Sequence, residues 1–185
     1  MKVTDKHVFF YSWKDMFSNH YRNDRAFALP RHEQEGVKFY TGEHMMMYEK
    51  AMLFADHNIA RQITEVFHPQ EAKMLGRKVK GFNNELWEKS RENIVENVCY
   101  CRLVYDLDLR GAAIIHRLAG RSFVEASPRD RIWGIGMDEF HPMIHEEQNW
   151  LGLNLLGKAW DRATDALIDR CGGYDRVRGD FADQA

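Results

Sequence analysis

Apolar residues recur at intervals of three and four through most of this chain, and that spacing constrains the fold more than any other feature. Trp87, Ile94, Val98, Cys101 and Tyr105 fall on one side of a helix that Asn84 is placed to cap. Leu151, Leu155, Ala159, Ala163 and Ala166 repeat in the same way and predict a helix from about Leu151 to Ile168. Thr41 is a natural cap for another helix, in which Met47, Ala51 and Phe54 recur and Glu43 lies near the positive end of the dipole. Further helices are expected after His57 and from Pro69. Extended segments are few: the β-branched and aromatic run Val8 to Tyr11, a short stretch from Val37 to Tyr40, and Ser122 to Glu125. The expected fold class is therefore mainly α with a few short β-strands, an α+β chain in a single domain.

A chain of 185 residues, 44% hydrophobic and 29% charged, can bury a core without disulfides or metals to complete it. Without repeats or a Gly- and Pro-rich linker, the expectation is one domain over residues 1–171, followed by a polar tail, 172–185, that frays after Gly172 and Gly173. Cys99 and Cys101 are too close in sequence for an ordinary disulfide, and Cys171 makes the count odd, which favours reduced thiols and a cytoplasmic setting. No apolar run approaches the ~20 residues of a membrane span, so no membrane partner is expected. A formal charge of −2 gives no general attraction to nucleic-acid backbones, so any phosphate recognition must be local.

The helical rhythm breaks between Arg121 and Gly136, where a strand-like Ser122-Phe123-Val124-Glu125 meets Pro128 and then Gly134 and Gly136. The run Glu125-Ala126-Ser127-Pro128-Arg129-Asp130-Arg131-Ile132-Trp133-Gly134-Ile135-Gly136 resembles the signature of the NADAR (NAD and ADP-ribose) superfamily, the YbiA-like N-glycosidases: an acidic strand and an S-P-x-D-x-x-W-G-x-G loop. Around it, in matching order, stand Phe17-Ser18-Asn19, Gly42-Glu43-His44 with Lys50-Ala51, Ala72-Lys73-Met74-Leu75-Gly76-Arg77, and Gly152-Leu153-Asn154-Leu155-Leu156-Gly157. The chain departs from the family pattern at Met45-Met46-Met47 and at His20, where aromatic or hydrophobic residues are usual.

The resemblance implies hydrolysis of the bond between ribose and an exocyclic amine of a base. Two substrate classes follow from it: ADP-ribose on guanine in DNA or RNA, and the ribosylaminopyrimidine phosphates of riboflavin synthesis. The alternative is a module that binds ADP-ribose or NAD-derived ligands without cleaving them. Such cleavage builds positive charge on the sugar and asks for a proton on the departing nitrogen, work that two carboxylates can do without cofactor or metal. Glu43 and Asp130 are the catalytic candidates. Lys50, seven positions after Glu43, shares its helix face and can hold that carboxylate ionised or bind a phosphate; by spacing alone an ordinary ion pair is the commoner explanation of the two.

Ser18 and Asn19, Lys73 and Arg77, and Arg129, Trp133 and Gly134 complete the substrate-binding candidates: donors for hydroxyls, a fork for phosphate, a flat ring for stacking, and room for close approach. Each also has a plain structural reading, as a turn, a solvated basic helix end, or a loop with its own ion pairs and core tryptophan. His141 and His145 are separated by Pro142, which breaks the helix that would align them as metal ligands.

Overall fold

The computed structural model describes residues 1–182. Its strands are β1 (Lys2–Val3), β2 (His7–Phe10), β3 (Arg22–Phe27), β4 (Phe39–Thr41) and β5 (Ser122–Glu125). Its helices are α1 (Pro30–Gln34), α2 (Gly42–Leu53), α3 (His57–Glu65), α4 (Pro69–Gly76), α5 (Asn84–Tyr105), α6 (Leu107–Leu118), α7 (Leu155–Arg170) and α8 (Tyr174–Ala182). A mainly helical chain with short strands is what the apolar spacing predicts. Two compact units are interleaved in sequence, one made of residues 1–11 with the segment from Leu107 onward and the other of residues 12–106. No helix among the described residues is long and apolar enough to cross a membrane.

In the first unit, β2 is the middle strand of three, antiparallel to β1 and parallel to β5, with Val8 opposite Phe123 and Phe10 opposite Glu125. All four residues of β2 are buried, as suits a central strand covered on both faces. Phe9, Val124, Ala126, Ile135, Met137 and Ile144 form a core cluster with Trp150 at its margin. Helix α7 packs on β5 so closely that a Cβ at Gly157 would stand 2.0 Å from the carbonyl oxygen of Phe123. Asn154, in the left-handed region at φ 53°, clamps the same junction: its Oδ1 accepts from Glu125 N–H and its Nδ2 donates to Phe123 C=O, both at 3.0 Å.

That junction corrects the predicted start of the last helix. Leu151 to Leu153 are not helical, because Leu151 N–H donates to Ile135 C=O and Leu153 N–H to Arg131 C=O. The face that α7 buries runs through Leu155, Leu156, Ala159, Trp160, Ala163, Leu167 and Ile168, while Leu151 and Ala166 are exposed. Most of the tail expected to fray is likewise helical. Helix α8 buries Val177, and Tyr174 donates its hydroxyl hydrogen to Asp165 at 2.5 Å. The last residues of that expected tail, 183–185, lie outside the described residues.

The second unit is built on α2, which packs against α3, α4 and α5 and is buried without interruption from Gly42 to Tyr48. Thr41 caps it as predicted, its Oγ1 accepting from His44 N–H at 3.3 Å. Methionines suit such a helix, since their unbranched thioethers fill uneven gaps on every side. Helix α5 is capped by Asn83 rather than Asn84, with Oδ1 accepting from Leu86 N–H at 2.9 Å. Of its predicted stripe, Val98 and Cys101 are buried, whereas Trp87, Ile94 and Tyr105 are partly covered. Strands β3 and β4 pair antiparallel and deliver Arg22 and Thr41 to opposite register positions.

Candidate functional site

Glu43 is buried at the second position of α2, where the first-turn amides give a carboxylate a favourable field. Its backbone is set by the loop before β3: Glu43 N–H donates to Asn19 C=O at 2.9 Å. That loop is held from behind by Arg102 of α5, whose side chain is fully buried. The guanidinium donates through Nε to Asn23 Oδ1 at 3.0 Å, through Nη1 to Ser18 C=O at 3.2 Å and through Nη2 to Met16 C=O at 2.6 Å. Burial draws its pKa down to about 10, which leaves it charged at neutral pH. Asn19 thus meets Glu43 through its backbone, while Arg102, hidden in an apolar stripe, carries no sequence signal.

Ser18 turns its hydroxyl inward to accept from His20 N–H at 3.2 Å. Asn19 is buried too, with Nδ2 3.9 Å from the sulfur of Met46 and its Oδ1 without a hydrogen-bond partner. His20 Nε2 lies 3.7 Å from Glu43 Oε2. Its pKa falls to about 4, first through burial and then through the positive field of Lys73, His68 and His44, so the ring is neutral at pH 7. His44, on α2, is buried and tied at both nitrogens, to Thr41 Oγ1 at 2.7 Å and Val66 C=O at 3.1 Å.

Lys50 donates to Gly76 C=O at 2.8 Å and stands over two rings, 4.5 Å from the centre of Phe82 and 5.4 Å from that of Trp87. Burial and then Arg77 lower its pKa, while Glu43 acts in the opposite sense. Lys50 thus feels the field of Glu43, with Arg77 as a nearby like charge, while Lys73 acts on His20. Ser18, Asn19, Glu43, Lys50, Lys73 and Arg77 all belong to the second unit.

In the first unit, Arg129, Asp130, Trp133 and Gly134 occupy one loop after β5. Asp130 closes it, Oδ1 accepting from Ile132 N–H at 2.9 Å and Trp133 N–H at 2.8 Å, while its carbonyl accepts from Gly136 N–H at 3.1 Å. Gly134 is buried against its own chain: a Cβ there would lie 2.8 Å from the carbonyl oxygen of Glu125 and 2.9 Å from Ser127 Cβ. Trp133 is partly covered and Arg129 exposed. Among the described residues, no group of three His, Cys, Asp or Glu side chains is gathered as a metal site would require.

The NADAR domain matches residues 9–168. This chain belongs to the NADAR family. Proteins similar to it include Protein irg-1 of Caenorhabditis elegans, 33% identical over 88% of this chain and 80% of its own length. A second is N-glycosidase R617 of Acanthamoeba polyphaga mimivirus, 32% identical over 84% of this chain and 92% of its own. The NADAR fold of this chain is also similar to that of the Escherichia coli protein YbiA, solved by NMR: TM-score 0.69, 23% identity, 91% of this chain and 89% of that one covered.

The NADAR match does not by itself mark every residue with a place near Glu43. Trp13, Arg22, Phe67 and His68 line a cavity with His20, and only His20 stands out in the sequence, as a departure from the family pattern. Exposed aromatic residues in loops carry no periodicity, so nothing in the chain points to Trp13 or Phe67 before folding.

Proposed function

We propose that this NADAR protein is an N-glycosidase that hydrolyses the bond between ribose and an exocyclic amine of a base, with a phosphorylated ribose compound as substrate. The observation that carries this reading is the buried carboxylate of Glu43, held at a helix N-terminus beside a neutral histidine and a half-buried lysine, in a chain similar to a protein named as an N-glycosidase. A carboxylate so placed opposes the positive charge that grows on the sugar as the C1–N bond breaks. The bonding pair leaves with the nitrogen. Water supplies hydroxide to C1, and its proton, passed through Glu43 or a neighbour, completes the departing amine.

Lys50, Lys73 and Arg77 supply positive charge for substrate phosphate. Ser18 and Asn19 bring polar atoms to the sugar, and the unpartnered Oδ1 of Asn19 is suited to accept from a hydroxyl. Asp130 is assigned the second acid, with Arg129, Trp133 and Gly134 in substrate binding, on the resemblance of their loop to the family signature. ADP-ribose on guanine in DNA or RNA and ribosylaminopyrimidine phosphate are the two substrate classes to compare.

Both are incubated side by side with the wild type and with Glu43→Gln, and products are identified by mass. The expected result is released base from at least one substrate, reduced at least ~100-fold by the substitution. Unchanged hydrolysis by Glu43→Gln on every accepted substrate would overturn the role of Glu43.

A further inference from the structure

Beside Glu43 in the second unit lies a cavity of about 310 Å³ whose walls include Trp13, His20, Arg22, Thr41, Phe67 and His68. That volume sits at the lower end for small-molecule sites and suits one ring system with little more. Trp13 is 66% exposed and Phe67 71% exposed. Two large rings left in water at one cavity mouth forgo burial that a flat ligand would restore.

The Arg22 guanidinium lies 4.3 Å from the centre of the Phe67 ring and 4.4 Å from that of Tyr40, so the cation is held between two rings. Phe67 therefore has one face occupied and its orientation fixed before any ligand arrives, which lowers the entropic cost of stacking on it.

We propose that this cavity is the subsite for the departing base. A planar nitrogen heterocycle stacks against Phe67 and Trp13, its polar edge faces His20, and its glycosidic nitrogen is directed toward Glu43. The assignment rests on the glycosidase reading for its direction and goes beyond it in stating which part of the substrate lies here and what recognises it.

Three features carry it. His20 belongs to both places, lining the cavity while Nε2 stands 3.7 Å from Glu43 Oε2. A neutral imidazole offers one donor and one acceptor, the pattern that matches the alternating ring nitrogens and carbonyls of a base edge. An apolar side chain in its place would leave that edge unread, so His20 is the specificity-determining residue of the subsite. Arg22 and Lys73 surround the place with positive charge, which favours a leaving nitrogen that carries away an electron pair.

The test is an NMR titration of the full 15N-labelled chain with cytosine, adenine and, separately, ribose 5-phosphate. The bases are expected to move the indole N–H of Trp13 and the ring nitrogens of His20. The exposed-residue variant Trp13→Ala/Phe67→Ala should bind both bases at least about tenfold more weakly while keeping its fold by circular dichroism. His20→Gln should preserve the ranking of the two bases and His20→Phe should alter it.

Equal base affinity in the wild type and the double variant overturns the proposal. So does movement of these signals by ribose 5-phosphate alone, which would make the cavity a sugar site. Binding is read without turnover, so an inert Glu43 in the hydrolysis assay leaves this result standing, and a failed titration leaves the role of Glu43 intact.

Discussion

Replacing Arg102 with Met keeps the aliphatic stem of the side chain and removes a guanidinium that is wholly inside the second unit. Three hydrogen bonds go with it, to Asn23 Oδ1, Ser18 C=O and Met16 C=O. Each acceptor deprived of a buried partner costs about 1–3 kcal/mol. Against that stands the relief of the burial cost visible in the lowered pKa of the guanidinium. Breaking a buried charged network in other proteins costs about 3–5 kcal/mol net, and the relief places Arg102→Met near the lower figure, ~3 kcal/mol.

With a urea dependence of about 2 kcal/mol per molar, the unfolding midpoint should fall by roughly 1.5 M. Far-UV circular dichroism at pH 7 measures it. Arg102→Lys keeps the charge but loses the fork, so its midpoint should lie between the two. The loop freed by the change carries the Asn19 carbonyl that receives Glu43 N–H, so hydrolysis should fall in parallel with stability across the series. A midpoint for Arg102→Met within about 0.3 M of the wild type would refute the reasoning, because it would mean the loop holds itself without the guanidinium.

Other outcomes follow from the same geometry. Gly157→Ala drives a methyl to 2.0 Å from the Phe123 carbonyl oxygen, backbone that cannot step aside, and should cost at least about 2 kcal/mol, seen as a lower thermal midpoint. Asp130→Asn keeps an oxygen for the Ile132 and Trp133 amides and should leave stability within about 0.5 kcal/mol, whereas Asp130→Ala should lose ~1–2 kcal/mol; if Asp130 is the second acid, both should abolish turnover. His20 has a folded pKa of about 4 against 6.5 when unfolded, so below pH 6.5 the unfolded chain takes up the proton first. Its contribution to stability is complete above pH 6.5, declines as pH falls toward 4 and is flat below; urea midpoints at pH 7 and pH 4.5 should differ less in His20→Phe than in the wild type.

Much of the fold is legible because its signals are local. Thr41 announces α2 and Pro69 opens α4, each by capping or backbone chemistry that needs no tertiary context. Strand β3 is not legible: Arg22-Asn23-Asp24-Arg25-Ala26-Phe27 has no apolar alternation, and only pairing with β4 and the burial of Asn23 and Phe27 make it a strand. Helix α6 has Gly111 at its centre, which weakens the pattern, and Leu151 repeats in register with a helix it never joins.

The site divides along the same line. Glu43 with Lys50, and Ser18 with Asn19, are readable because spacing or a motif sets them apart. Arg102 looks like an intrusion in an apolar stripe, and Trp13, Arg22 and Phe67 meet only when loops and strands distant in sequence have found their places. A charged side chain inside a core declares its partners only in three dimensions.

The parallel pairing of β2 with β5 governs how this chain is born. Val8 emerges from the ribosome early with only the two-residue β1 to pair with, and its parallel partner is missing until Phe123 has followed it out of the exit tunnel. Through that interval the sticky Val-Phe-Phe triplet must be shielded by transient contacts or by a chaperone, whereas α2 finds α3, α4 and α5 in the segment that directly follows it. Synonymous codons that slow translation just after residue 106 would lengthen the exposure, and clumping of nascent chains is where the delay would be felt.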